Sequence, residues 1–338
     1  MALSRMGRCA SRAVVLLILW SAVAPAAGLA VRGESRARSR DGQGAAIVIN
    51  GLGGLPEFEE NFVDWATRLR LIFSDKFGEA VYYLDGRTQR KEEILKTFDR
   101  VASEGGDEVW LVLIGHANHD GKSFKFHVKG PDLTGKEIRS FLDLLGSRKV
   151  FVVAGTSASG VLISELQGEN RVIVTATRNQ FERQPPLFLS FFLEAAKSPD
   201  ADRNKNGRVS LLEAFLFSRT EVQKWFLARG LLQTEHALLD DQGEIQLGSE
   251  EEAKSDLIHT GEGMLAAATY FSSPPEEAYR TAEARELSRK RQGIEREIEA
   301  LKFRKQKIPV QDYYQELERL LVDLARLNEQ ITELEKPR

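Results

Sequence analysis

The chain has 338 residues, of which 42% are hydrophobic and 29% are charged, as expected for one sizeable core with an accessory element. Its formal net charge of −3 provides no global electrostatic reason to bind nucleic acid, so we expect no nucleic-acid partner. The only cysteine is Cys9, which precedes the first apolar run. The sequence therefore predicts a mature protein without disulfides, thiolate metal sites or a cysteine nucleophile.

The first thirty residues have the pattern of a secretory signal. Three arginines precede the apolar run AVVLLILWSAVA, and the small residues APAAGLA follow it. This order predicts a signal peptide over residues 1–30, cleaved after Ala24, Ala26 or Ala30, with the later two favoured. Because the run is short, we expect an exported protein, periplasmic or secreted, with no membrane span after signal removal; an uncleaved anchor is the alternative. Residues 31–44 are basic, polar and glycine-containing, which is typical of a flexible leader.

Strand and helix patterns alternate from residue 45 onward. The strand patterns are AAIVIN, AVYYL, EVWLVLI, KVFVVA and RVIVTA, and helical patterns separate them. This alternation predicts parallel βαβ units with right-handed crossovers, and hence an α/β fold with a doubly wound, mostly parallel sheet over residues 45–273. Further helices are predicted over about 187–196 and 211–228, and LAAATYF near residue 268 is a candidate last strand.

The composition changes after SSPP at 272–275. The tail is rich in charged, helix-forming residues, and its apolar residues step alternately by three and four, which is a heptad pattern. These residues are Leu317, Leu320, Leu324, Leu327, Ile331 and Leu334. A helical segment with a shorter apolar stripe precedes them, and Pro309 separates the two segments. Residues 274–338 are therefore predicted to form an α-helical hairpin or a coiled coil that supports self-association, and the pattern does not distinguish the two.

Two predicted strands are each followed by a residue that could take part in catalysis. EVWLVLI runs into GHANHDG and KVFVVA runs into GTSASG, so His116 and Ser157 follow successive strands. Nucleophiles and their bases often lie past the carboxyl ends of strands in α/β sheets, so this placement is typical of a hydrolase. A structural interpretation is also open, in which Ser157 or Ser159 caps the start of a helix.

The order NGLGG, VWLVLIGHANHDG, VFVVAGTSASG and VIVTATRN resembles that of the legumain/caspase superfamily of cysteine peptidases (clan CD), above all its bacterial, exported legumain-like members. In that family a His-Gly pair follows one strand and Asp-x-Cys-x-Ser-Gly follows the next. The resemblance covers about residues 45–270 and implies a caspase/haemoglobinase-like fold. It places His116 at the position of the catalytic histidine, Ser157 at that of the nucleophile, and Ser159 and Gly160 at the trailing Ser-Gly.

Three positions depart from that family pattern. Ser157 stands in place of the cysteine, Gly155 in place of the acidic residue, and Ala117 in place of the glycine after the histidine. A serine hydroxyl is a far weaker acid than a thiol, so it needs a base in contact and usually a group that steers the base. Asp120, four residues past His116, is a candidate for that steering group.

We therefore expect a catalytically degenerate peptidase homologue that acts by binding a peptide or protein. Two alternatives stay open at this point. The first is an active hydrolase that uses Ser157 with His116. The second is a scaffold in which the helical tail carries the function and the α/β domain only supports it.

The segment DRNKNGRVSLLE at 202–213 matches the EF-hand loop pattern D-x-[DN]-x-[DN]-G-x5-E at every specified position. The predicted calcium ligands are Asp202, Asn204, Asn206, the carbonyl of Arg208, Ser210 and Glu213. Only two of these side chains are carboxylates and no second loop is visible, so we expect a dissociation constant of about 10⁻⁴–10⁻³ M. The alternative is a capped turn that keeps the shape of the loop without an ion.

Overall fold

The computed structural model describes residues 44–104, 106–203, 207–248, 264–270, 281–303, 305 and 308–335. The described strands are β1 Ala45–Asn50, β2 Val81–Asp85, β3 Glu108–Gly115, β4 Ala117–His119, β5 Phe124–Phe126, β6 Leu133–Thr134, β7 Lys149–Thr156, β8 Arg171–Thr175, β9 Leu238–Asp241 and β10 Ile245–Leu247. The described helices are α1 Pro56–Phe77, α2 Lys91–Glu104, α3 Gly135–Leu144, α4 Leu162–Leu166, α5 Phe188–Ala195, α6 Leu211–Ala228, α7 Ala282–Phe303 and α8 Val310–Glu335. The predicted signal peptide lies outside the described residues.

A seven-stranded sheet forms the centre of the fold, in the order β10-β9-β8-β7-β3-β1-β2. The strands from β2 to β8 in this order run parallel, whereas β9 and β10 are antiparallel to their neighbours. Seven of the eight residues of β7 are buried, as expected for a parallel strand that is covered on both faces. The α/β class with a mostly parallel sheet, predicted from the sequence, is confirmed.

Helices cover both faces of the sheet and form two cores. Successive residues of β3 point to opposite faces, so Val112 packs in the core under α1, α5 and α6, and Leu111 packs in the core under α2, α3 and α4. In the second core the rings of Phe98 and Phe141 stack with their centroids 4.2 Å apart. The two layers fix the sheet, and with it the positions of the loops at the carboxyl ends of its strands.

The edge of the sheet differs from the sequence prediction. The segment LAAATYF is not a strand over its described residues Leu265–Tyr270, where a turn forms. The Asp241 carboxylate accepts the N–H groups of Leu265 and Ala266 at 3.1 and 2.8 Å, so these groups are not available to a strand partner. The last strands of the sheet are instead β9 and β10, which form a short hairpin. A separate antiparallel sheet of β4, β5 and β6 also follows β3 and was not predicted.

The C-terminal helices α7 and α8 pack against each other. Their shared core consists of Ile298, Leu301, Tyr313 and Leu320, flanked by half-buried Leu317 and Leu324 of the predicted heptad. Pro309 immediately precedes α8, where the missing N–H of proline removes no helical hydrogen bond. The chain therefore pairs its own helices, and self-association through them stays a prediction. Among the described helices, none combines the length and the apolar character needed to cross a membrane.

Candidate functional site

The loops that follow β1, β3, β7 and β8 meet at the carboxyl ends of these parallel strands, and we call this region the strand-end site. The N–H of Gly51 donates to the carbonyl of Ile114 at 2.7 Å, and the N–H of His116 donates to the carbonyl of Leu52 at 3.2 Å. A Cβ added to Gly51 would lie 2.6 Å from the carbonyl oxygen of His127, so only glycine permits this approach. The turn NGLGG thereby positions His116.

The imidazole of His116 lies against aromatic rings. The centroids of Phe58 and Phe62 are each 5.6 Å from that of His116, and both rings meet it edge to face. Burial lowers the pKa of His116 below its ordinary value, and a hydrogen bond between the ring and the Gly53 backbone partly opposes this effect. His116 is therefore mostly neutral at neutral pH, which is the form a general base requires.

The hydroxyl of Ser157 is bonded to the backbone of the loop after β3. It donates to the carbonyl of Ala117 at 2.8 Å and accepts the N–H of Ala117 at 3.2 Å. The residue is 2% exposed, and within the described part of the chain its hydroxyl makes no hydrogen bond to the His116 ring. The structure thus brings His116 and Ser157 to the same end of the sheet. The Ser157 hydroxyl, however, bonds the loop after β7 to the loop after β3 instead of bonding the histidine ring.

The turn after β7 has a strained backbone. Ala158 has a φ of +52°, which is unusual for a residue other than glycine, and its N–H donates to the carbonyl of Glu182 at 2.9 Å. A Cβ added to Gly160 would lie 2.1 Å from the carbonyl carbon of Arg178. Strained turns of this kind carry the nucleophile in many hydrolases, so the turn has a suitable shape although its hydroxyl is engaged elsewhere.

Neither serine of this turn caps a helix. The cap position of the 3₁₀ turn Ser159–Val161 is Ala158, and no side chain caps it. The hydroxyl of Ser159 instead lies 3.1 Å from that of Thr177 and accepts the N–H of Thr177 at 3.2 Å. The capping interpretation of Ser157 and Ser159 is therefore wrong, because both hydroxyls join neighbouring loops.

Asp120 does not steer the His116 ring. Its carboxylate forms an ion pair with Lys125 at 2.7 Å and accepts the N–H groups of Lys122 and Ser123. These bonds hold the pKa of Asp120 well below its usual range. Asp120 therefore closes the turn between β4 and β5, and the structure does not support the steering role considered for it.

The predicted calcium loop is described only in part. Asn204 and Asn206 lie outside the described residues. The Asp202 carboxylate accepts the N–H of Gly207 at 2.8 Å, and Gly207 has a φ of +80°, so the sharp turn that the motif requires is present. The side chain of Arg208 extends away from the loop, 3.6 Å above the ring centroid of Tyr270.

The last predicted calcium ligand, Glu213, is 6% exposed and already has partners. One oxygen accepts the N–H of Arg203 at 3.1 Å, and the other accepts the N–H and the hydroxyl of Ser210 at 2.9 and 2.8 Å. Ser210 and Glu213 form a capping box at the start of α6. Within the described residues, no cluster of three or more histidine, cysteine or carboxylate side chains could hold a metal ion. The donors fit calcium only if Glu213 gives up some of these bonds.

A hydrogen-bonded pair that the sequence did not reveal joins the loop after β8 to the segment before β9. The Glu182 carboxylate lies 2.6 Å from the Nδ1 atom of His236, and it accepts the N–H groups of His236 and Arg178 at 3.0 and 2.9 Å. Because Glu182 and His236 are 54 residues apart and belong to no motif, no sequence signal indicates their contact. The carbonyl of Glu182 also accepts the N–H of Ala158, so this pair belongs to the strand-end site.

A groove of about 490 Å³ lies beside the turn after β7. Its lining residues come from that turn, from α4, from the loop after β8 and from the antiparallel edge of the sheet: Gly160, Ile163, Ser164, Arg178, Asn179, Leu238 and Gln246. Phe181, on the same loop as Asn179, is 73% exposed. The groove thus presents polar and apolar groups next to the predicted catalytic turn.

No family model matches the sequence, and no curated protein matches it significantly. Solved structures that match include caspase-1 from Spodoptera frugiperda, with 14% identity and a TM-score of 0.40, over 60% of this chain and 88% of that chain. A structure of pro-sf-caspase-1 matches with 13% identity and a TM-score of 0.41, over 60% and 92%. The Drosophila initiator caspase Dronc matches with 13% identity and a TM-score of 0.39, over 61% and 82%. At these values the function has to follow from the geometry of the site.

Proposed function

We propose that residues 45–273 form a caspase-like or legumain-like domain that has lost catalysis and acts by binding a peptide or protein. The observation that carries this proposal is the Ser157 hydroxyl, which is buried and has Ala117 as both its donor and its acceptor. A serine nucleophile must pass its proton to a base in contact with it. The His116 ring is bonded to Gly53 instead, so the pair lacks the contact that the reaction needs.

The alternative is an active hydrolase that uses Ser157 with His116. The test is to treat the purified mature chain with a fluorophosphonate probe and, separately, with a library of peptide substrates. We expect neither labelling of Ser157 nor cleavage of any peptide. Labelling or cleavage that is abolished in Ser157→Ala and retained in Ser140→Ala, an exposed control on α3, would overturn the proposal.

We place the peptide in the groove beside the turn after β7, since Arg178 and the apolar residues Ile163 and Leu238 all line it. Ser164 is exposed there and its hydroxyl bonds only within its own turn, so Ser164→Trp would fill the groove without disturbing the core. Ser140→Trp is the matched control, because Ser140 is an exposed residue of α3 with the same kind of bond. On an array of short random peptides, we expect Ser164→Trp to weaken binding about tenfold and Ser140→Trp to leave it unchanged. Equal binding by both variants would exclude the groove.

We further propose that the protein is exported, on the basis of the charged, apolar and small-residue order of residues 1–30. Mass spectrometry of the protein purified from its source should find an N-terminus that follows Ala24, Ala26 or Ala30. Recovery of the intact N-terminus from the cytoplasm would contradict export.

The tail provides the competing location for partner binding, and we propose that α8 also supports self-association. Tyr314 and Leu321 on α8 are 56% and 47% exposed, although they are large and apolar. Deletion of residues 276–338 separates the possibilities. A partner that the truncated protein retains binds the α/β domain, and a partner that it loses binds the tail. A full chain that sediments as a monomer at all concentrations would exclude self-association.

We also propose that the loop at 202–213 binds calcium weakly. The support is the turn that Asp202 and Gly207 form, together with the match to the loop pattern.

A further inference from the structure

A second concave site lies on the other side of the His236 segment, away from the strand-end groove. This cavity of about 510 Å³ is bounded by α6, by the segment that leads into β9 and by Gly248 at the end of β10, and we call it the α6 cavity. Its volume lies within the range of small-molecule sites. Apart from Arg203, which follows the predicted calcium ligand Asp202, its lining residues belong to no predicted motif, so the cavity needs an explanation of its own.

Two arginines line the α6 cavity, Arg203 and Arg219. Arg219 lies 5.6 Å from the ring of Phe215, whereas the Arg203 guanidinium makes no hydrogen bond or ion pair with any residue that the structure describes. Arginine presents several N–H donors in a planar fork, which matches the geometry of a carboxylate or phosphate. The positive lining therefore favours an anionic ligand.

The carboxylate in the wall of the α6 cavity opposes an anion only weakly. The two oxygens of Glu235 accept the N–H groups of Leu187 and Phe188, at 2.7 and 2.9 Å, so the group faces the start of α5. Burial raises the pKa of Glu235 to about 7, so at neutral pH a large fraction of this carboxyl is uncharged. The lining thus contains two arginines and one carboxyl that is partly uncharged, which favours an anion.

The remaining walls favour an organic anion over inorganic phosphate. Leu216, Val222 and Ala237 provide apolar surface, and Gln223 and Gln233 provide amides. Inorganic phosphate would leave this apolar surface in contact with water, whereas a short carbon chain would cover it. We propose that the α6 cavity binds a small organic carboxylate, with Arg203 and Arg219 holding the carboxylate and Leu216 and Val222 contacting its carbon chain.

The site is connected to the strand-end site through one residue. His236 lines the α6 cavity, and its ring and its N–H are both bonded to Glu182, whose carbonyl accepts the N–H of Ala158. An occupant of the cavity therefore changes the environment of His236. The NMR resonances of the His236 ring then report binding independently of calorimetry.

The experiment titrates the full mature chain with succinate, with its neutral diamide succinamide, and with inorganic phosphate. Isothermal calorimetry measures affinity, and NMR follows the His236 ring. The variants are Arg203→Gln and Arg219→Gln. The control is Lys224→Gln, because Lys224 also lies on α6 but is 65% exposed and paired with Glu221 outside the cavity.

We expect succinate to bind the wild type and to shift the His236 resonances. Each arginine variant should weaken the affinity for succinate about tenfold, and Lys224→Gln should leave that affinity unchanged. Succinamide should not bind. Absence of succinate binding, unchanged affinity in both arginine variants, or equal binding of succinamide would each overturn the proposal. Phosphate that binds more tightly than succinate would overturn the assignment to carboxylates. If Arg219→Gln fails to fold, the exposed residue Arg203 decides the outcome, since its substitution removes no contact within the described part of the fold.

Discussion

The strand-end site and the α6 cavity use their polar groups in opposite ways. At the strand ends, the Ser157 hydroxyl and the Glu182 carboxylate are satisfied by the chain's own backbone and by His236. In the α6 cavity, the lining residue Arg203 makes no side-chain hydrogen bond or ion pair with a described residue. A satisfied buried group stabilises the fold, whereas an open charged group in a cavity is available to a ligand. The region with the predicted catalytic residues thus uses its polar groups mainly to stabilise the fold.

The largest expected effect concerns Glu235, which lies at the border of the two regions. Its pKa is raised to about 7 by burial, so the folded protein binds a proton that the unfolded chain releases between about pH 4.5 and 7. This contribution to stability is fully present below the unfolded pKa and is lost as the pH rises through the folded pKa. A shift of this size corresponds to about 3 kcal/mol of the unfolding free energy.

Urea unfolding of the wild type and Glu235→Gln between pH 5 and pH 8 measures this effect. We expect the free energy of unfolding to fall with rising pH in the wild type and to fall less in the variant, because the glutamine amide cannot titrate. If the glutamine bonds Leu187 and Phe188 more weakly, the free energy of unfolding falls by the same amount at every pH. Such a loss does not change the slope of that free energy against pH. The exposed control Glu169→Gln should keep the wild-type slope, and equal slopes in all three proteins would refute the assignment.

The next effect tests the structural role of the strand-end site. Ser157→Ala leaves the buried N–H and carbonyl of Ala117 without their partner, which should lower the free energy of unfolding by about 1–3 kcal/mol. Chemical denaturation measures the change. Ser164→Ala, at an exposed hydroxyl, should change stability by less than about 0.5 kcal/mol. An unchanged free energy of unfolding in Ser157→Ala would mean that the hydrogen bonds between the two loops do not stabilise the fold.

Glu213 is an intermediate case, since its carboxylate is satisfied internally but matches a calcium ligand. With calcium several-fold above a millimolar dissociation constant, we expect a gain in stability of about 1 kcal/mol, seen as a rise in melting temperature. Glu213→Gln should abolish the gain, and Glu221→Gln, farther along α6, should preserve it. Identical melting temperatures with and without calcium in the wild type would leave the capped turn as the correct description.

The smallest effect is expected in the α6 cavity. Because the Arg203 guanidinium has no bond to break among the described residues, Arg203→Gln should change the free energy of unfolding by less than about 0.5 kcal/mol in the absence of ligand. Denaturation of the two proteins side by side checks this. A loss as large as that of Ser157→Ala would show that Arg203 has a structural partner, and the contrast between the two regions would fail.

Much of the sheet and the positions of the predicted catalytic residues follow from the sequence. The β-branched runs of β1, β3, β7 and β8 are long enough to predict buried parallel strands, and such strands fix where His116 and Ser157 emerge. The short hairpin of β9 and β10 was missed, because strands of four and three residues carry little periodic pattern.

The contacts on which the proposed function rests could not be predicted from the sequence. Ser157 bonds to backbone atoms of Ala117, and backbone atoms carry no sequence signal. Glu182 and His236 meet only because β8 and β9 are neighbours in the sheet. The α6 cavity arises where a helix and a loop fail to fill the space between them, which no local pattern records.

Arg208 has a consequence for how this protein unfolds. Its side chain covers the ring of Tyr270 and lies 3.7 Å from the carboxylate of Glu295 on α7, so one residue of the loop before α6 contacts both the turn after the sheet and the helical tail. Segments that share buried contacts tend to open together. Amide exchange rates in α7 and in the first turn of α6 should therefore rise or fall together. A substitution that destabilises the helical tail should also speed amide exchange in the loop before α6.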